Sequence, residues 1–509
     1  MPDLAILDTS PVPVADPGTT LPAGWQFGGM YEVFVRAYQD SDGDGIGDLQ
    51  GLILRLDYLK ALGVTGLWLM PVMASLDHDH GYAISNYRDV ETPYGSLADM
   101  DALIAAAHAH GIGIILDYVM NHSSAEHPAF RDARRDKSSV FRDWYLWSDQ
   151  KPSGWTIYGG DPWHPADTGW YFGAFWDQMP DFNLRNPDVI AWHHDNLRFW
   201  LNRGVDGFRF DAVGNLIEND ADRFQDQPES YAIVAGLRRV LDAYDNRFMV
   251  CESPEDPIGF AQARADVSAF AFGHHRDMIA AARGDTAALG LVAGFPPVAP
   301  PWISTILSNH DSFAGTRPMD QLGYNSAMMK LAAAMYLLQP GIPFIYYGEE
   351  LGMAAGRDMR ADASLRTPMS WTDDAGSPGF TTGTPFRAPS ANLQWNNYSA
   401  QRADPDSIFN FYKAMLALRN ARPSLALGEY ANVTISGTSL AFERSFEGED
   451  TLVAINIGTD ASSVTMSGLS NSAEYRELWV TPGTRCSTGG GMFTFIMMPQ
   501  SVAVYGRTE

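Results

Sequence analysis

Apolar positions along this chain fall into short continuous runs, and between the runs they recur at helical spacing. The runs are GMYEVFVRAY (29–38), VTGLWLMPV (64–72), IGIILDYVM (112–120), VDGFRFDAV (205–213), RFMVCES (247–253), VSAFAFGH (267–274), WISTILSNH (302–310) and IPFIYYGE (342–349). Near-continuous apolar strands suit a parallel sheet covered on both faces. Between them, Leu52, Leu56 and Leu59 share one helical face, as do Met328, Leu331, Met335 and Leu338. Asn186-Pro187-Asp188 opens a helix that Gly204 closes. Ile408, Phe411, Tyr412 and Met415 mark a further helix within 406–420. Strands alternating with helices in this way predict an α/β chain folded as a (β/α)8 TIM barrel.

Two departures from the alternation predict additional parts. The connection at 121–185, after the third strand, is far longer than an ordinary loop and carries Trp144, Trp147, Trp155, Trp163, Trp170 and Trp176. It reads as an inserted subdomain whose tryptophans pack mainly on one another. From 424 to 509 the pattern changes to short alternating strands with Gly, Ser and Asn turns, which predicts a C-terminal antiparallel β-sandwich. The barrel is then 25–120 with 186–423, and residues 1–24 form an extended proline-rich arm.

The 509 residues are too many for one compact core. A net charge of −26 opposes nucleic acid and anionic membrane surfaces. The two cysteines, Cys251 and Cys486, do not make a disulfide framework. The first residues lack a basic segment followed by an apolar one, and no run of 18 apolar residues occurs. A cytoplasmic location is expected, with secretion by way of a removed leader as the alternative.

A barrel places its chemistry at the C-terminal ends of its strands. There the third strand ends in Asp117, Asn121 and His122, and the fourth carries Arg209 and Asp211. The fifth ends in Glu252, and the seventh in His310 and Asp311. The loop after the second strand adds Asp79, His80 and Tyr82. Three converging carboxylates suit acetal chemistry: one attacks the anomeric carbon, and another protonates the leaving oxygen. Arg209 is expected to keep Asp211 ionised and oriented, and the apolar FMVC stretch to keep Glu252 protonated.

A second motif is DSDGDGIGD, residues 40–48. Asp40, Asp42, Asp44, the carbonyl of Ile46 and Asp48 occupy positions 1, 3, 5, 7 and 9 of an EF-hand-like loop, with Gly45 at the sharp turn. Gly51 stands where the bidentate Glu would be. Four carboxylates in nine residues repel without a cation, so the loop predicts a structural Ca2+ site, or one for Mg2+.

Taken together, DYVMNH, GFRFDAV, VCES and LSNHD resemble, in order, the four main signature regions of the α-amylase family, glycoside hydrolase family 13. MPDFN (179–183), GIPFIYYGEELGM (341–353) and RTPMSW (366–371) extend the resemblance. MPDFN is similar to the group intermediate between oligo-1,6-glucosidases and neopullulanases. The resemblance implies Asp211 as nucleophile, Glu252 as general acid/base and Asp311 as transition-state stabiliser. It implies a sugar subsite lined by His122, Arg209 and His310, with Tyr82 stacked beneath the ring and Asp79 and Arg366 on its hydroxyls. No organic cofactor is implied.

The implied activity is retaining hydrolysis of α-1,4-glucosidic bonds in malto-oligosaccharides or starch. Ala212 after the nucleophile resembles α-1,4-acting relatives. Gly214 and Asn215, however, stand where many α-amylases carry Lys-His. An exo-acting α-glucosidase, or a transglucosylase acting on maltose or sucrose, therefore stays open.

Overall fold

The computed structural model describes residues 7–76, 80–264, 266–469 and 474–508. All eight apolar runs contain a strand: β1 (Gly29–Val33), β2 (Val64–Leu69), β3 (Gly113–Tyr118), β4 (Gly207–Phe210), β5 (Phe248–Cys251), β6 (Ser268–Ala269), β7 (Ser304–Thr305) and β8 (Ile342–Tyr346). They are the parallel staves of a (β/α)8 barrel. Each strand is shorter than its run, because the last residues of the run turn into the loops that carry the polar side chains.

Contacts gather into two compact units. One holds the chain up to Ala23, Trp68–Ala109 and Gly113–Phe270. The other holds Gly24–Leu67, His110–Ile112 and Ala271 onward.

In the first unit the strands run β6-β5-β4-β3. Asp117 of β3 and Val250 of β5 both pair with Arg209 of β4. Gly207 makes the β4–β5 approach possible, since a Cβ there would lie 1.9 Å from the Phe248 carbonyl oxygen. The helix Pro187–Leu201 starts as expected, with the Asn186 side chain accepting from the Asp188 amide and Pro187 in the first turn. Between β3 and β4 lie a helix, Pro128–Arg135, and a three-stranded antiparallel sheet. Trp155 and Trp163 pack with Ile157 and Phe172, and Arg142 lies 3.5 Å over the Trp147 ring.

Residues 7–20 form neither helix nor strand, yet they are tied along this unit. The Val12 amide donates to Asp195, the Ala15 amide to Asn202, and Arg247 donates to Asp16 and to the Gly18 carbonyl.

In the second unit the strands run β1-β8-β7. The helix expected from Leu52, Leu56 and Leu59 is two helices, Leu49–Leu54 and Leu56–Leu62, broken at Arg55. Arg55 is drawn aside: it donates to Gln39 at 2.7 Å and lies 4.0 Å over the Trp371 ring.

The C-terminal part has eight strands: β9 (Glu429–Ser436), β10 (Ser439–Phe446), β11 (Glu449–Asn456), β12 (Ser462–Met466), β13 (Tyr475–Val480), β14 (Arg485–Gly489), β15 (Met492–Met497) and β16 (Ser501–Arg507). They form antiparallel sheets ordered β9-β10-β11-β16-β13 and β12-β15-β14. Leu452, Ala454 and Tyr505 of one sheet pack against Val464, Phe493 and Phe495 of the other. No helix among the described residues is long and apolar enough to cross a membrane.

Candidate active site

The β3–β4–β5 register explains the arrangement of the acids in the first unit. Asp117 and Arg209 are paired residues on neighbouring strands, Asp211 lies just past the end of β4, and Glu252 just past the end of β5. The fully buried Arg209 serves three carboxyl groups. Its Nη1 lies 2.7 Å from Asp117 Oδ1 and 2.7 Å from Asp211 Oδ1, and its Nη2 lies 2.7 Å from Glu252 Oε2. Trp68 Nε1 and the Tyr82 hydroxyl donate to the other Asp117 oxygen, at 3.2 and 2.9 Å. The guanidinium also faces the Trp68 ring at 5.2 Å and the Tyr82 ring at 5.7 Å.

One cation cannot offset three buried carboxylates. Burial raises Asp211 above the ordinary carboxylate range; Arg209 opposes the rise without cancelling it, and Asp117 adds to it. Arg209 thus faces Asp211 and Glu252 together, and offsets the effect of burial on Asp211 only in part. Glu252 follows the apolar FMVC stretch. Beside the apolar wall it has an ion pair with Arg209 and the Ala212 amide, which donates at 3.0 Å.

Other predicted residues of this unit are near neighbours. His122 is buried, its carbonyl accepting from the Tyr87 hydroxyl and its ring 5.4 Å from that of Phe175. Asn121 donates to Asp181 of the MPDFN motif at 3.1 Å. Burial moves the Asp181 carboxyl up to about 7, against hydrogen bonds from Ala174, Asn121 and Glu218. The Tyr158 hydroxyl donates to Asn215 at 3.0 Å. Asp79 lies outside the described residues.

In the second unit Asp311 sits between two cations. His310 Nε2 is 3.0 Å from Asp311 Oδ2, and Arg366 Nη2 is 2.9 Å from Asp311 Oδ1. His310 Nδ1 is 2.6 Å from Glu32, which lies on β1. Burial favours neutral His310, but Asp311 and Glu32 overcome it and raise the imidazole to about 10, so it is charged at neutral pH. Arg366, expected on a sugar hydroxyl, pairs with Asp311 and donates to the His310 carbonyl at 3.1 Å.

Residues 32–428 match the alpha amylase catalytic domain. Alpha-amylase 3 of Dictyoglomus thermophilum is 35% identical over 84% of this chain and 84% of its own. The chain belongs to the alpha-amylase family. A probable alpha-glucosidase of Rhizobium meliloti is 32% identical, over 86% of this chain and 90% of its own. The crystal structure of the alpha-amylase from H. orenii superposes with a TM-score of 0.81 at 30% identity, covering 94% of this chain and 99% of that one. Membership makes the protein an α-amylase-family glycosidase acting on an α-glucan and needing no organic cofactor.

The acidic loop belongs to the second unit. Asp40, Asp42 and Asp48 each bring an oxygen within 4.8 Å of the others. Asp44 is not among them; its Oδ1 accepts from the Ile46 amide at 2.7 Å. Asp40 accepts from the Gly43 and Gly45 amides and from Thr381. Burial raises its carboxyl, but these hydrogen bonds prevail and hold it below the usual range. A Cβ on Gly45 would meet the Thr384 carbonyl oxygen at 2.1 Å, and its φ is 94°, so the sharp turn requires glycine. Three carboxyl oxygens this near one another are the kind of donor set a hard divalent cation takes.

Sequence reading left Asp117 without a role and missed Trp68 and Glu32. Glu32 and Asp117 had the signal that singled out Arg209: a lone charge in an apolar strand.

Proposed function

We infer that the protein is a retaining hydrolase of α-1,4-glucosidic bonds in malto-oligosaccharides or starch. Asp211 attacks the anomeric carbon as Glu252 protonates the glycosidic oxygen, which leaves a glycosyl-enzyme. Glu252 then takes a proton from the incoming water, whose oxygen displaces Asp211. Asp311, paired with His310 and Arg366, stabilises the cationic sugar. His122, Arg209, His310 and Tyr82 line that sugar's subsite, with Asp79 and Arg366 completing it.

The observation that carries the reading is that one guanidinium holds both acids, with Arg209 Nη1 at 2.7 Å from Asp211 and Nη2 at 2.7 Å from Glu252. Two acids held on one such fork suit the close spacing, about 5–5.5 Å, that retaining enzymes use.

Asp40, Asp42 and Asp48 are assigned a structural Ca2+, or Mg2+, with Asp44 and the Ile46 carbonyl completing the shell. Such an ion would offset their mutual repulsion; it has no part in the steps above.

A second reading, exo-acting α-glucosidase or transglucosylase on maltose or sucrose, is favoured by the Tyr158–Asn215 hydrogen bond. It ties a loop of the insert to the turn after Asp211 and narrows the room for a long chain there.

Chromatography of the products from maltoheptaose tests both readings. Mixed oligomers are expected from endo-hydrolysis. Glucose alone supports exo cleavage, and longer chains support transfer. Asp211→Asn is expected to lose at least about 1,000-fold in kcat. Undiminished activity in that variant overturns the assignment.

A further inference from the structure

The turn joining Asp211 to Glu252 has an unusual backbone. Ala212 takes φ 46° and ψ 41°, the left-handed region that residues with a Cβ seldom adopt. It is the residue directly after Asp211. Its amide donates to the Glu252 carboxylate at 3.0 Å, and the next amide, of Val213, donates to the Glu252 carbonyl at 3.1 Å. Glu252 in return donates its own amide to the Phe210 carbonyl at 2.9 Å. Three hydrogen bonds thus lace residues 210–213 to one glutamate. The left-handed residue lets two successive amides turn toward Glu252 while Asp211 still ends β4.

We propose that Ala212 is a positioning residue whose N–H, aimed by its left-handed backbone, holds Glu252 beside Asp211 and sets the pH at which Glu252 releases its proton. The inference rests on Glu252 being the acid/base of the reading above. In the first step Glu252 gives its proton to the glycosidic oxygen as the C1–O bond breaks and the Asp211–C1 bond forms, and the electron pair left on Glu252 meets the Ala212 N–H. The hydrogen bond therefore strengthens as the reaction advances. Among the described residues, Arg209 from β4 pairs with Glu252 and Tyr158 from a loop feels its charge, while Asp117 from β3, Asp211 and Tyr82 share that same Arg209. None lies in Ala212, so its amide can be removed without altering them.

Replacing residue 212 by lactic acid turns that N–H into an ester oxygen and leaves the methyl group in place. The basic limb of the kcat/KM–pH profile is expected to rise by about one unit, with kcat lower by about tenfold. Ala212→Gly keeps the amide and tolerates the conformation, so its basic limb should stay at the parent's pH whatever its kcat. An ester variant with the parent's profile and kcat overturns the proposal.

If the ester variant does not fold, selective 15N-alanine labelling of the parent decides. The Ala212 amide shift should titrate with the basic limb and lose that titration in Glu252→Gln; an amide that does not titrate overturns the proposal. Glu252→Gln on maltotriose separates the two ideas. Retained activity there removes the acid/base reading itself, whatever Ala212 does.

Discussion

Arg209 pairs with Glu252 through Nη2 and with Asp211 through Nη1, at 2.7 Å each, so a single planar group orients both acids. A lysine has a point charge and no fork, and cannot span the pair. Arg209→Lys is expected to lower kcat by about 100-fold or more, with a smaller change in KM. Arg209→Met leaves three buried carboxyls without a cation and should cost about 3–5 kcal/mol of stability. Denaturant unfolding and steady-state kinetics on maltotriose measure both, and parent-like values in either variant contradict the shared-cation geometry.

Glu349 supplies a pH dependence. It is buried, accepts from Tyr336 at 2.6 Å and Tyr412 at 2.8 Å, and burial raises its carboxyl to about 8. The folded protein therefore holds this proton more tightly than the unfolded chain does. Its contribution is fully present below about pH 4.5, the ordinary glutamate value, and is lost as pH rises toward 8. Melting temperature should fall over that interval, and Glu349→Gln should flatten the fall. Identical pH slopes in the two proteins would contradict this.

Removal of divalent cations should lower the melting temperature if Asp40, Asp42 and Asp48 bind one, because an ion that binds only the folded loop stabilises it. Asp42→Asn should shrink the response to chelator. The check is a melting curve with and without excess chelator on protein whose metal content has been measured. A metal-loaded protein whose curve does not move carries its ion elsewhere.

Arg444 fastens the C-terminal β domain within the second unit. It is buried and donates from β10 to the Leu338 carbonyl at 3.1 Å and to the Gly428 carbonyl at 2.9 Å. Arg444→Met fills a similar volume but leaves these carbonyls without their donor. A loss of about 2–4 kcal/mol is expected, read from urea unfolding. A loss within measurement error would mean that water replaces the guanidinium.

The positions of the barrel strands and the acids were readable because both break a pattern. Apolar runs mark strands, and a charge inside a run, as in GFRFDAV, marks a site. β12 and β14 carry no such signal: SSVTM and RCSTG are polar strands flanking β15, with little apolar alternation. The upward shift of Asp211 was not readable either. It depends on Arg209 being divided among three acids, which spacing along the chain does not reveal. Ala212 drew notice only as the residue after Asp211, and its left-handed backbone angle is not legible in the sequence.

The amino-terminal arm leaves the ribosome long before anything it grips. Asp195 follows Val12 by 183 residues, and Arg247 follows Asp16 by 231. During synthesis the arm is a loose thread, and closing so long a loop is entropically unfavourable until the rest of the unit has drawn its ends together. Fastening of the thread thus belongs among the last events in the birth of this unit.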